Sequence, residues 1–242
     1  PYFAARSSAG QAHIGFCPYN YVFDPIIRSA MDIKLKGAIV VVDEAHNVAQ
    51  VLEDSASCEV TDDDLEHTLK QFQKMKQLGS TCKQSQEYRS LHKMIEGLFD
   101  FLKFCSSAVT SGSKPLIHNG TELASILSAR CDVHEQSIGT LREALKAVNT
   151  ALTEGGKSKA QLHPSNRSLS VAERLLTVFE YLLRNGMEAM QHYRVVVKHE
   201  RRFSPPSFAS AKSRKRKGKG VGKASVTWGL KMCMWCLSAS VA

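Results

Sequence analysis

The sequence predicts an α/β protein in which part of a parallel sheet is interrupted by a long, mainly α-helical insertion. Three observations carry that expectation. Gly37–Val42 is an apolar, β-branched run with no alternation, the pattern of a strand buried on both faces of a parallel sheet. The run ends at Asp43-Glu44, and ligands of parallel sheets sit at the carboxyl ends of the strands. From about residue 61 to 190 the apolar residues recur at helical spacing instead.

In chain order, Pro1–Ser8 reads as a helical start, His13–Phe23 as a short strand followed by a Pro-bent turn, and Pro25–Met31 as a helix before strand 37–42. Strand, helix, strand is the unit of a parallel layer, but two strands cannot close a sheet, so its other strands lie outside this sequence or near its end. Thr61 is a good N-cap, and Asp62, Asp63 and Asp64 fall in the first turn, where the helix dipole favours negative charge. Leu65, Leu69, Phe72, Met75 and Leu78 continue that helix, so the acids read as a helix start and not as a metal site. Gly79-Ser80 ends it.

Further helices are predicted over Gln86–Phe104, Thr121–Ala129 and His134–Leu152, and from a capping box at Ser170–Glu173 to about Met190. The Ser-, Gly-, Lys- and Asn-rich stretches 106–120 and 153–168 read as mobile linkers. Strand character returns at Tyr193–His199 and Ser225–Leu237. The chain therefore divides into 1–59 and 226–242, parts of one α/β domain, and 60–225, a helical insertion with a disordered basic loop at 204–223.

Composition sets outer limits. A chain of 242 residues with 43% apolar content can bury a real core, and no stretch approaches the roughly eighteen uninterrupted apolar residues of a membrane span. The beginning, Pro1–Arg6, has neither initiator Met nor signal peptide, so the chain is expected to be an internal piece of something longer. Seven scattered cysteines suit a reducing compartment better than a disulfide framework. The net charge of +9 is uneven: Lys198 to Lys223 holds ten Lys or Arg and one Glu, a surplus that equals that of the whole chain.

Adjacent carboxylates at a strand end can divide labour. One holds a divalent metal, usually through its waters, and its neighbour orients and deprotonates an attacking water. Four letters ending a strand are weak alone. They come here in an ordered set: Pro1-Tyr2-Phe3-Ala4-Ala5-Arg6, Phe16-Cys17-Pro18-Tyr19-Asn20-Tyr21-Val22-Phe23-Asp24, Asp32-Ile33-Lys34-Leu35-Lys36-Gly37, Val41–Val48 and Glu53-Asp54-Ser55-Ala56-Ser57. This set resembles the iron–sulfur DEAH helicases of superfamily 2, the xeroderma pigmentosum group D-like family, with its Fanconi anaemia group J branch nearest.

The resemblance implies a partial RecA-like motor domain over 1–59, an Arch-type insertion over 60–225 and a return strand to the motor over 226–242. It implies that Asp43 binds the Mg²⁺ of Mg-ATP, that Glu44 activates the hydrolytic water, and that His46 couples the nucleotide site to the neighbouring motor surface. A [4Fe-4S] cluster is implied for the parent protein with all four thiolate ligands outside this chain, as are its phosphate-binding loop and second motor domain. The implied partners are single-stranded and structured DNA and DNA repair proteins, in the nucleus, with no membrane. The competing expectation is a non-catalytic helical interaction module with a basic tail for nucleic-acid binding or nuclear import. Ala49, where the family carries Glu, favours it.

Plainer readings apply elsewhere. Cys17 is expected in the core of an apolar strand, and Cys233 and Cys236 are expected to pack on opposite faces of another, since residues three apart in a strand point apart. Tyr19, Tyr21 and Phe23 are expected to serve core packing. Gly155-Gly156-Lys157-Ser158 follows a helix and lacks the first glycine of a P-loop, and Asn119 and Asn166 have glycosylation spacing without a secretory context. The tract containing Arg214, Lys215, Arg216 and Lys217 has three readings: nuclear import signal, phosphate-contacting arm, or solvated loop.

Overall fold

The structure is a computed structural model that describes residues 8–77, 84–109, 114–154, 164–184, 186–204 and 225–241. Three short helices open it: α1 (Tyr19–Phe23), α2 (Pro25–Ala30) and, after a 3-10 turn at Ala45–Asn47, α3 (Val48–Ser55). Strand β1 (Cys58–Thr61) leads into α4 (Asp62–Gln77) and α5 (Ser85–Ser106), then β2 (Leu116–Asn119) and α6 (Gly120–Ile126), which ends in a π-helical turn, Leu127–Cys131. Two long helices, α7 (Glu135–Glu154) and α8 (Asn166–Arg184), precede the short α9 (Gly186–Gln191) and the hairpin strands β3 (Tyr193–Ser204) and β4 (Ser225–Cys236).

Among the described residues the strands form one sheet, ordered β1-β4-β3-β2, and every neighbouring pair is antiparallel. This replaces the parallel sheet expected from Gly37–Val42, which forms no strand: Ile39 is 93% and Val41 89% exposed. A strand buried on both faces needs pairing neighbours and covered faces, and 38–42 pairs with none of the described strands. The stretch 226–242, expected to supply a return strand, holds most of β4, which pairs antiparallel with β1 and β3. The strand expected within His13–Phe23 is absent, and the Tyr19–Phe23 end of it is helical.

One core joins sheet and helices. Alternate residues of the central strands, Tyr193, Val195 and Val197 on β3 and Met232, Met234 and Cys236 on β4, face inward onto Leu65, Phe72, Leu91, Leu98, Leu176 and Phe179. The register places Cys233 on the opposite face from Met234 and Cys236, as the three-residue spacing predicts; its thiol donates to Glu59 Oε1 at 3.4 Å. Lys231, next to it on that face, lies 2.5 Å from Glu59 and 3.3 Å from Glu200, and its ammonium holds the Glu59 carboxyl below its usual range.

Helix starts follow side-chain chemistry. Thr61 does cap α4: its hydroxyl accepts from the Asp64 amide at 3.1 Å, and Asp64 Oδ2 accepts in return from the Thr61 amide and hydroxyl. Arg167 on α8 adds Nε and Nη2 contacts to Asp64 Oδ1 at 2.9 and 2.6 Å. Burial raises the Asp64 carboxyl, but the Thr61 and Arg167 hydrogen bonds outweigh it and hold the group below its ordinary value. Its contribution is therefore fully present above the ordinary value of 3.8 and is lost as pH falls through the lower folded value. Asp64→Ala is expected to cost about 1–2 kcal/mol at neutral pH. Denaturant unfolding should show wild type and variant converging once the medium is acid enough to protonate Asp64 in the folded chain.

The capping box at Ser170 is not used, because α8 begins a turn earlier. Ser165 takes the role: its hydroxyl accepts from the Ser168 amide at 3.2 Å, its carbonyl from the Leu169 amide, and the hydroxyl is tied to His67 Nε2 at 3.0 Å. That tie across 98 positions of chain is what favours the earlier start. The helix expected to reach Met190 stops at Arg184, and Gly186, at φ 58°, turns the chain before α9.

Candidate functional site

Asp24 anchors the entry to the site. Its Oδ1 accepts from the amides of Ile26 and Ile27 at 2.8 and 3.0 Å, capping α2 with Pro25 at its first position, and Arg28 Nη1 reaches back to the Val22 carbonyl at 2.6 Å. Gly37, at φ 79°, then turns the chain toward the exposed run 38–41.

The structure brings Asp43, Glu44 and His46 onto one turn. Asp43 Oδ1 accepts from the Glu44 amide at 3.0 Å, and Glu44 adopts a left-handed backbone, φ 48° and ψ 46°, before the 3-10 turn Ala45–Asn47. This conformation costs a non-glycine residue roughly 1 kcal/mol, which neighbouring contacts must offset. One such contact is the Tyr19 hydroxyl, which donates to the Asp43 carbonyl and lies 3.4 Å from that of Glu44. Core packing was the expectation for Tyr19; no local sequence signal marks this role, because its partners lie 24 and 25 positions away.

His46 Nδ1 lies 3.2 Å from Glu44 Oε2, with the two side chains 71% and 66% exposed. Two hard oxygen donors on one turn suit Mg²⁺, but an open carboxylate pair binds it weakly without phosphate oxygens to share the ion. No group of three or more potential metal ligands occurs among the described residues. Asp43 thus has the chemistry of a ligand to a metal shared with phosphate oxygens, with the Glu44 carboxylate beside it, and the pair is not a free-standing metal site.

Among the described cysteines, burial pushes the Cys58 and Cys131 thiols up to about 12 and, with the Glu59 carboxylate beside it, Cys233 to about 11. Cys17, expected in a buried strand, is exposed. The residues Arg214, Lys215, Arg216 and Lys217, the Gly155–Ser158 stretch and Pro1–Arg6 lie outside the described residues.

A cleft of about 700 Å³ lies between α2, α3, β1 and α8, lined by Asp24, Glu53, Glu59, Glu173, Arg174 and Trp235 among others. Burial raises the Glu173 carboxyl there, with Arg142 opposing. The cleft does not include Asp43 or Glu44. No helix among the described residues is long and apolar enough to cross a membrane.

The turn at Asp43–His46, framed by Tyr19 and Asp24, lies within a stretch that known proteins share. The DEAD_2 family model matches residues 1–65. A Fanconi anemia group J protein homolog of Gallus gallus is 38% identical over 107 residues, which are 44% of this chain and 8% of that protein. Two Regulator of telomere elongation helicase 1 homologs are also similar. That of Drosophila erecta is 48% identical over 65 residues, 27% of this chain and 7% of its own length, and that of Drosophila grimshawi is 36% identical over 87 residues, 36% and 9%. The chain thus spans less than a tenth of the length of these relatives. The helicase resemblance read from the ordered motifs holds over this N-terminal stretch.

Proposed function

We propose that this chain is part of an ATP-dependent DNA helicase that hydrolyses ATP to move along single-stranded DNA and unwind duplex or structured DNA in nuclear DNA repair. The observation that carries the reading is the turn itself: Asp43, Glu44 and His46 stand together with Glu44 already paired to His46, inside the stretch matched by the DEAD_2 family.

In this reading Asp43 holds the metal of Mg-ATP, and bound Mg²⁺ screens the charge that builds on the phosphates during transfer. Glu44 accepts the proton of the attacking water. His46, in contact with Glu44, relays the state of that carboxylate to the adjoining motor surface. Tyr19 fixes the backbone on which both acids stand. The phosphate-binding loop, the second motor domain and the [4Fe-4S] cluster with its thiolates belong, on this proposal, to parts of the protein beyond this sequence. Arg214, Lys215, Arg216 and Lys217 serve nuclear import or phosphate contact.

The complete protein, purified and assayed for DNA-stimulated ATP hydrolysis, tests the reading. Asp43→Asn is expected to weaken Mg-ATP binding while leaving metal-free nucleotide binding little changed. Unchanged dependence on Mg²⁺ would remove Asp43 from the site.

A further inference from the structure

The strands of the β3–β4 hairpin carry Arg194, Lys198, Arg201, Arg202 and Lys231 against a single acid, Glu200. On this hairpin Arg201 and Trp228 face each other directly across the strands, and the Arg201 guanidinium lies over the Trp228 ring, 5.7 Å from its centroid. Trp228 is nonetheless 49% exposed. Large aromatic surface is costly to leave in water on an otherwise packed sheet, where the inward residues of the same strands are fully buried.

The tryptophan is held, not loose. The His199 ring meets it edge-on at 6.5 Å, and His199 Nε2 lies 2.7 Å from the Val109 carbonyl. A carbonyl only accepts, so Nε2 carries the proton, and the ring is fixed between β3 and the end of α5. On the other face of the sheet, Glu59 of β1 and Glu200 of β3 both contact Lys231. An exposed indole backed by a guanidinium, on a hairpin whose strands carry net positive charge, has the chemistry of a base-stacking platform with a phosphate contact beside it.

We propose that Trp228 and Arg201 form a single-stranded DNA contact in which an unpaired base stacks on the indole while the guanidinium meets the adjoining phosphate. The choice of DNA as the strand rests on the helicase reading; the platform rests on the hairpin alone. Duplex DNA buries its base faces and offers the indole nothing to stack on, so the site selects single strands.

In this 242-residue chain Trp235, also on β4, is the only other tryptophan, so Trp235→Phe leaves Trp228 as the chain's sole indole reporter. Titrating that variant with oligo(dT) is expected to quench its emission, whereas an abasic oligonucleotide of equal length is not. Trp228→Ala should weaken oligo(dT) binding by about tenfold without changing the salt slope, and Trp228→Phe should recover most of the loss. Arg201→Ala should lower that slope. Emission untouched by oligo(dT), or equal quenching by the abasic strand, overturns the proposal. Such a failure would leave the Asp43 and Glu44 assignments standing, since they are read from nucleotide hydrolysis in the complete protein.

Discussion

Glu44→Gln in the complete protein is expected to retain Mg-ATP and to lose hydrolysis by at least about a hundredfold, the usual contribution of a positioned general base. Glutamine keeps the size and the hydrogen-bonding reach of the side chain but cannot take a proton from water. The turn itself should survive, because what holds it is the Asp43 carboxylate on the Glu44 amide and the Tyr19 hydroxyl on the backbone, not the Glu44 side chain. The contact between Glu44 and His46 is the one local interaction that weakens. Nucleotide binding measured by calorimetry beside single-turnover hydrolysis separates the two effects. Normal turnover in the variant removes the catalytic role of Glu44; lost binding with it points to a ligand role instead.

A large stability effect is expected at Gly97, in the interior of α5. In an open helix, exchanging Gly for Ala stabilises by about 1 kcal/mol. At Gly97 the new Cβ would lie 2.4 Å from the Arg130 carbonyl oxygen, 2.7 Å from its carbon and 2.9 Å from Cys131 Sγ. Two of those atoms are backbone of the π-helical turn, which is pinned by buried Leu127 and Cys131 and closed by the Val133 amide on the Leu127 carbonyl at 3.0 Å. The clash must push two packed elements apart, an overpacking cost of about 1–3 kcal/mol or more that exceeds the propensity gain.

Gly97→Ala should therefore lower the denaturation midpoint. Gly139, inside α7 with nothing within 4 Å of a built Cβ, supplies the opposite case, and Gly139→Ala should raise it by the propensity term alone. If both substitutions stabilise, the close approach of α5 to the Leu127–Cys131 turn is wrong.

These two glycines look alike in the sequence: each stands in an amphipathic helix with no turn signal nearby. Only the neighbour across space distinguishes them. The same limit explains the misplaced start of α8, where the Ser170 box satisfied every local rule but Ser165, one turn earlier, had His67 as a tertiary partner. It explains Tyr19 as well, whose role depends on carbonyls two dozen residues away. The long helices were legible because the 3.6-residue period of their buried residues is a local pattern, as at Leu91, Ile95, Leu98 and Leu102 on α5.

The sheet was the least legible part. The apolar runs 193–199 and 225–237 announced strands but not partners, since pairing direction is set by which neighbour is available and not by composition. Gly37–Val42 shows the converse: a run with strong strand character pairs with none of the described strands and leaves Ile39 and Val41 exposed.

By itself the sequence determined the order of the motifs around Asp43-Glu44, the helical nature of the insertion, the Thr61 cap and the concentration of positive charge after Lys198. Those are properties of residues close together along the chain. The tertiary structure alone decided the antiparallel sheet, the frame that Tyr19 gives the acidic turn, the tight seat of Gly97 and the pairing of Arg201 with Trp228. Each of these joins groups far apart in the chain, where the free energy of a contact depends on what the fold places opposite and leaves no trace in the local pattern.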